Sequence, residues 1–262
     1  MANQTVSDLL GAIERIAPLI AQHAAAAEAD RHLSDAVYQA MYEAGLYGML
    51  APKAYGGLEL HPAGCLRIWE AVARIDAAAA WNLVMNQAIT AYAAWLPPKA
   101  IAELYANGIP TIAGALHPPA KAVRVDGGWR ITGQVPFASG CHHTQWLVMP
   151  AQEEGADTPF GVFFPRESAA ILDTWHTLGM RGTGSAVYRG DGSLCAGLSH
   201  RAGGAAARPA ARLRGAALSH VAVVRDHRRG CDLGRRRGRR GRRRRASLVF
   251  GQCRDGCRQF RD

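Results

Sequence analysis

GGWRITGQVPFASGCHHTQWLVMP, residues 127–150, is the stretch on which the reading of this chain turns. Together with the preceding Val123-Arg124-Val125 it alternates apolar and polar side chains around Asp126-Gly127-Gly128. That pattern predicts two strands joined by a hairpin, because Asp-Gly and Gly-Gly tolerate the positive φ angles a tight hairpin turn needs. WLVMPAQ, then FGVFFP and AAILDTW, carry the period of two onward. From about Pro110 the chain therefore reads as β structure.

Upstream the period is that of a helix. Leu10, Ile13, Ile16, Ala17 and Ile20 share one helical face, with Ser7 as the predicted cap. Ser34 opens a second helix with Val37 and Met41 inward, and Gly45 stops it. A turn-rich break, APKAYGGLELHP, precedes a third helix over about 63–75 and an Ala-rich fourth after Asp76. Pro97-Pro98 precede a short last one. Helices followed by strands predict separate α and β domains, an α+β chain, rather than alternating βαβ units. No G-x-G-x-x-G opens a helix, which argues against a Rossmann nucleotide site.

The charge is divided along the chain. Residues 1–185 hold 11 Lys and Arg against 16 Asp and Glu; residues 186–262 hold 20 against 5. The net +10 therefore describes only the tail. No apolar run reaches the roughly 18 residues a membrane span needs, and the N-terminus lacks a signal-peptide layout, so no membrane role and a reducing, cytoplasmic setting are expected. The six cysteines show no paired zinc spacing and read as free thiols, with no metal site.

Residues 186–262 are a basic low-complexity tail. Arg, Ala and Gly make up 44 of these 77 residues, and Lys and Glu are absent. So few large side chains cannot offset the entropy of ordering, and a disordered tail is expected. Two readings stand for it. The preferred one is a frameshift near Ser185, since Arg, Ala and Gly are the products of GC-rich codons. The rival is an RGG-like arm, centred on residues 234–245, that binds nucleic acid through phosphate contacts.

The middle stretch resembles the acyl-CoA dehydrogenase superfamily. GGWRITGQVPFASGCHHTQWLVMP is similar to that family's flavin-lining β segment. MLAPKAYGGLELHPAGCLRIWEAVARIDAAAAWN (49–82) resembles its P-x-x-x-G-G turn and central helices, and WHTLGMRGTGS (175–185) its W-x-x-x-G-x-R-G-T-x-S loop. The resemblance spans residues 5–185. It implies an N-terminal helical domain (1–109), an antiparallel β-barrel-like middle domain (110–185, incomplete), and a C-terminal helical bundle that is absent here. The catalytic base would belong to that absent bundle, so no catalytic residue is assigned. A flavin, FAD or FMN, would bind the middle domain, and the family assembles as homotetramers.

Residue by residue, the resemblance places Phe137 against the isoalloxazine and Ser139 beside flavin N5, with Ala138 between them. Ala115, Leu116 and His117 would offer backbone groups to the cofactor. Taken alone, Phe137 reads as an ordinary core aromatic and Ser139 as a turn residue before Gly140; the surrounding pattern turns both towards the flavin. Trp81 and Asn86 are candidate substrate contacts, or ordinary helix-packing residues. Of His142 and His143, one is expected to face solvent and the other to be a hydrogen-bonded loop residue; adjacent positions on a strand are a poor metal site. Leu116, His117 and Ala122 stand where the dehydrogenases commonly carry Thr, Glu and Ser. The F-A-S-G-C-x-H-x-x-W layout of Phe137–Trp146 is closer to the branch that uses reduced flavin and O₂ to hydroxylate aromatic or heteroaromatic rings. The preferred function is thus a flavin-dependent monooxygenase, inactive as this chain stands, with a small-molecule substrate and a flavin reductase or electron-transfer partner. An acyl-CoA dehydrogenase is the alternative within the enzymes, and a nucleic-acid-binding protein the alternative outside them.

Overall fold

The computed structural model describes residues 4–92, 96–125, 128–156, 159–195 and 198–201. The arginine run at 234–245, with the frameshift and nucleic-acid readings attached to it, lies outside the described residues, as does the hairpin turn at Asp126-Gly127.

Among the described residues, five α-helices come first. Helix α1 (Val6–Asp30) starts at Thr5 rather than at the predicted Ser7. Thr5 Oγ1 accepts from Asp8 N at 3.2 Å while Asp8 Oδ2 accepts from Thr5 N at 2.8 Å. This reciprocal pair satisfies two backbone N–H groups, where Ser7 alone would satisfy one. Helix α2 (Asp35–Glu43) is capped by Ser34 and buries Val37 and Met41 as predicted, and Gly45 follows at φ 83°. Helix α3 (Pro62–Ala73) begins at His61, and α4 (Ala77–Tyr92) follows Asp76. The two carboxylate oxygens of Asp76 accept from Ala78 N and Ala79 N. Helix α5 (Pro98–Leu104) follows Pro97. Leu9, Ile20, Met41, Leu46, Ile68, Leu83 and Ile101 are fully buried between these elements, each such side chain contributing roughly 1.5–3 kcal/mol. No helix among the described residues is long and apolar enough to cross a membrane.

Eight strands among the described residues then form one sheet: β1 (Ile112–Gly114), β2 (Ala120–Val125), β3 (Gly128–Val135), β4 (Trp146–Glu153), β5 (Phe160–Pro165), β6 (Ala170–Leu172), β7 (Val187–Cys195) and β8 (Leu198–Arg201). Their order is β6-β7-β3-β2-β4-β5-β8, with β1 beside β4. The predicted β2–β3 hairpin is present, pairing Lys121 with Thr132 and Arg124 with Trp129. The sheet is mixed, however, not antiparallel: β1 and β2 both run parallel to β4, one beside each half of its length. The cause is the loop at 136–145, which carries the chain back so that β4 starts at the same end as β1 and β2. Period-two alternation cannot distinguish the two pairings, because it sets faces and not directions.

The alternation divides the sheet between two cores. Ile112, Val148 and Phe163 face the helices and join their core. Leu147, Met149, Val162 and Phe164 face the concave side with Ile131, Val135 and Tyr188. Tyr188 corrects the expectation that side chains beyond Ser185 cannot build an interior. It is 0% exposed, and its hydroxyl donates to the Val148 carbonyl. Val187-Tyr188-Arg189 still alternates, and the sheet uses that alternation to pair β7 with both β3 and β6.

Candidate functional site

The site is assembled where α4 meets two loops, 136–144 after β3 and 179–186 before β7. Asp76 fixes the start of α4, and this places Trp81, Asn82 and Asn86 along the helix side that meets the sheet. Trp81 is 45% exposed, and its Nε1 donates to Ser139 Oγ at 3.1 Å. Gly140 follows at φ 78°, and a Cβ there would come within 2.7 Å of Asn82 Oδ1. Only glycine fits that approach in that conformation. The loops are stitched together by backbone bonds, Ala138 N to Ala186 O at 3.2 Å and Gly140 N to Thr183 O at 2.9 Å.

Ser139 is buried and heads a row of hydroxyls. Its Oγ lies 2.7 Å from Ser185 Oγ, which lies 2.8 Å from Thr183 Oγ1. Thr183 Oγ1 in turn donates to the Met180 carbonyl at 2.8 Å. Beside this row Phe137 projects outward, 63% exposed, with φ 62°. A non-glycine aromatic in the left-handed region is strained, and such strain persists where surrounding structure holds a residue to a task. Trp175 meets the Phe137 ring edge-on, with centroids 6.2 Å apart and an angle of 86°. Trp81 thus bonds the buried Ser139 hydroxyl, and Phe137, two residues before it, presents its ring outward against the edge of Trp175. An exposed aromatic ring near a buried hydroxyl offers a flat heteroaromatic group, such as an isoalloxazine, a face to stack on and a group to hydrogen-bond.

The other predicted residues fall differently. Ala138 is buried, and only its backbone is available to a ligand. Ala115 is half-buried; Leu116 and His117 are exposed on the β1–β2 connection, and no hydrogen bond, ion pair or ring contact among the described residues joins them to Phe137 or Ser139. Asn86 is buried, and its Nδ2 donates to the Ile112 carbonyl at 3.1 Å, joining α4 to β1. Asn82 Oδ1 and Asn86 Oδ1 have no protein partner, and both residues line a cavity of about 10 Å³ that also reaches Ser139. That volume holds about one water and no aromatic ring.

Neither His142 nor His143 lies on a strand; both belong to the turn after β3, and neither faces solvent freely. His142 stacks on His32 at 4.7 Å, and His143 stacks on Tyr38 at 5.3 Å while His143 Nε2 donates to the Leu33 carbonyl. Burial and the neighbouring His32, His143, Arg166 and Arg31 push His142 down to about 4. Burial also holds His143 below the ordinary imidazole value. His32 and His142 border a cleft of about 360 Å³ with Arg31, Arg166, Asp173 and Trp175. Burial raises the Cys141 thiol to about 12, which leaves it inert as a nucleophile. Among the described residues no His, Cys, Asp or Glu group is arranged to hold a metal. The backbone N–H of Arg181, not its guanidinium, bonds Glu28 Oε1 at 3.0 Å.

Sequence reasoning missed Thr183, Ser185, Trp175 and His32. GTGS and the tryptophan lay inside a quoted loop, but nothing in their spacing places them beside Ser139 and Phe137. His32 carried no signal at all.

The chain is similar to several known proteins. Residues 11–96 match the acyl-CoA dehydrogenase N-terminal domain. The chain is 36% identical over 159 residues to an indole-3-acetate monooxygenase of Pseudomonas putida, covering 59% of this chain and 41% of that protein. It is 30% identical over 181 residues to the oxygenase subunit HsaA of a flavin-dependent monooxygenase from Mycobacterium tuberculosis, covering 68% and 46%. Among solved structures, XiaF from Streptomyces sp., in complex with FADH2 and glycerol, superposes with a TM-score of 0.69 at 27% identity, covering 72% of this chain and 49% of that one. The chain thus spans less than half the length of the curated relatives it matches.

Proposed function

We propose that the chain belongs to the acyl-CoA dehydrogenase superfamily and that its described residues form the flavin-facing part of the oxygenase component of a monooxygenase. The substrate class is a small aromatic or heteroaromatic compound, in line with the relatives' names, and the setting is cytoplasmic. The observation that carries the proposal is the exposed Phe137 ring, met edge-on by the half-buried Trp175, two residues from the buried, Trp81-linked hydroxyl of Ser139. A reduced flavin, FMN or FAD, supplies the electrons that activate O₂. Phe137 and Trp175 hold its ring, Ser139 meets its N5, and Trp81 closes the edge of the site against water. The backbone groups of Ala115, Leu116, His117 and Ala138 are assigned to the cofactor, and Trp81 and Asn86 to the substrate side, with Asn86 acting through the floor beneath Ser139. The partner is a separate flavin reductase, and the assembly a homotetramer.

The test is anaerobic titration of the protein with reduced FMN and reduced FAD, followed by mixing with O₂ and indolic or phenolic compounds. Saturable binding of the reduced flavin supports the proposal, and a hydroxylated product would in addition overturn the expectation that the chain is inactive as it stands. Anaerobic bleaching of oxidised flavin by an acyl-CoA, reversed on addition of an electron acceptor, would overturn it in favour of dehydrogenation.

A further inference from the structure

The hydroxyl row beside Phe137 has a direction, and the direction follows from its last member. Met180 O is a carbonyl and can only accept, so at 2.8 Å Thr183 Oγ1 must donate to it. Thr183 has one hydroxyl proton, so across the 2.8 Å contact with Ser185 it accepts, and Ser185 donates. Ser185 has then spent its own proton, so across 2.7 Å it accepts from Ser139. Trp81 Nε1 is a donor only, and it too points at Ser139 Oγ. Every proton in the row is assigned, and Ser139 is left with one lone pair and nothing to donate.

We propose that Ser185 and Thr183 are positioning residues that lock the Ser139 hydroxyl as an acceptor, and that this makes the site select reduced over oxidised flavin. The inference rests on the flavin reading given above. In oxidised flavin N5 is a bare nitrogen that can only accept; in reduced flavin N5 carries a hydrogen and donates. An acceptor-only Ser139 matches the second state and faces the first lone pair to lone pair. A buried acceptor left without its donor is disfavoured by an amount that corresponds to a binding ratio on the order of tenfold to a hundredfold. For a two-electron couple each tenfold preference for the reduced form raises the bound flavin's potential by about 30 mV. The burial of the row suits this role: Ser139, Thr183 and Ser185 are all shielded from solvent that could otherwise reorient their hydroxyls.

The 262-residue protein is titrated anaerobically with oxidised FMN and with dithionite-reduced FMN, and the ratio of the two dissociation constants is read by tryptophan fluorescence. The wild type is expected to bind the reduced form at least about tenfold more tightly. Ser185→Ala frees the Ser139 proton, and Thr183→Val removes the acceptor that orients Ser185; both are expected to bring the ratio towards one. Thr183→Ser keeps the hydroxyl and is expected to restore it, which a purely structural role for Thr183 would not require. Circular dichroism checks each variant's fold, and Ser185→Ala carries the comparison if Thr183→Val unfolds. A wild type that binds both states equally, or a folded Ser185→Ala that keeps the full preference, overturns the inference while leaving the flavin reading intact. A wild type that binds neither state overturns both.

Discussion

The indole Nε1 of Trp81 reaches across 3.1 Å to the hydroxyl of Ser139 and ties the fourth helix to the loop that follows β3. Trp81 is at the surface and Ser139 is not, so this bond connects an exposed ring to the buried polar row. Replacing Ser139 by Ala removes the side-chain hydroxyl proposed to meet the flavin. Reduced FMN is expected to bind about tenfold more weakly, with the fold retained. Equilibrium dialysis under anaerobic conditions measures this; unchanged affinity would detach Ser139 from the cofactor.

Phe137 is held at φ 62° with most of its ring in solvent. Phe137→Gly relieves a left-handed residue at the cost of little buried area, so stability is expected to hold or rise by up to about 1 kcal/mol. Flavin binding should fall in the same variant. Thermal unfolding and flavin titration read the two effects separately, and opposite signs would mark a strained residue kept for function.

Gly140→Ala puts a Cβ within 2.7 Å of Asn82 Oδ1 at a φ of 78°. The left-handed penalty alone is roughly 1–2 kcal/mol, and the clash adds to it. Urea denaturation should show a lowered midpoint, and the Trp81–Ser139 contact should loosen with the shifted loop, seen as a change in tryptophan emission.

His142 sits near 4 in the folded protein, below the ordinary imidazole value of about 6.5. The unfolded chain therefore binds more protons between these values, and stability is expected to rise with pH across that window and to fall as pH drops from about 6.5 towards 4. The side chain is only partly buried, so solvent screening tempers the size of the effect. Melting temperatures from pH 4 to 7 should show a shallower slope in His142→Gln than in wild type. Identical slopes would show that His142 does not change its protonation between the folded and unfolded states there.

Tyr188 lies beyond the point where the composition changes, yet it closes the concave core. Tyr188→Ala should cost about 3–5 kcal/mol through the cavity it leaves. Tyr188→Phe should cost only about 1 kcal/mol, the bond to the Val148 carbonyl. If both variants were as stable as wild type, β7 would not be part of the packed structure.

Much of this was local and therefore legible. Ser34, Gly45, Val37 and Met41 announce α2 because caps and apolar spacing act within a few residues of one another. The alternation in VRV and WRITG announces the hairpin for the same reason, and Phe137 and Ser139 could be singled out from their place in a recognisable segment. Thr5 outdid Ser7 because capping depends on which residue three places on can answer, a signal present in the sequence but weighed wrongly.

What the chain could not reveal by itself is everything that depends on direction and on distant partners. Side-chain alternation says which face a strand residue occupies but not whether its neighbour runs parallel, so the mixed sheet around β4 had to be seen. Composition marked a break near Ser185, but Tyr188 became core only because β3 and β6 were waiting on either side of it. Ser139, Ser185 and Thr183 are separated by up to 46 positions, and a hydroxyl's role as donor or acceptor is set by which oxygen stands next to it. The sequence determined where the local elements lie and singled out the loop proposed to meet a flavin; tertiary packing alone decided which hydroxyls line up there, because a hydrogen bond between distant residues exists only once the backbone brings them within reach.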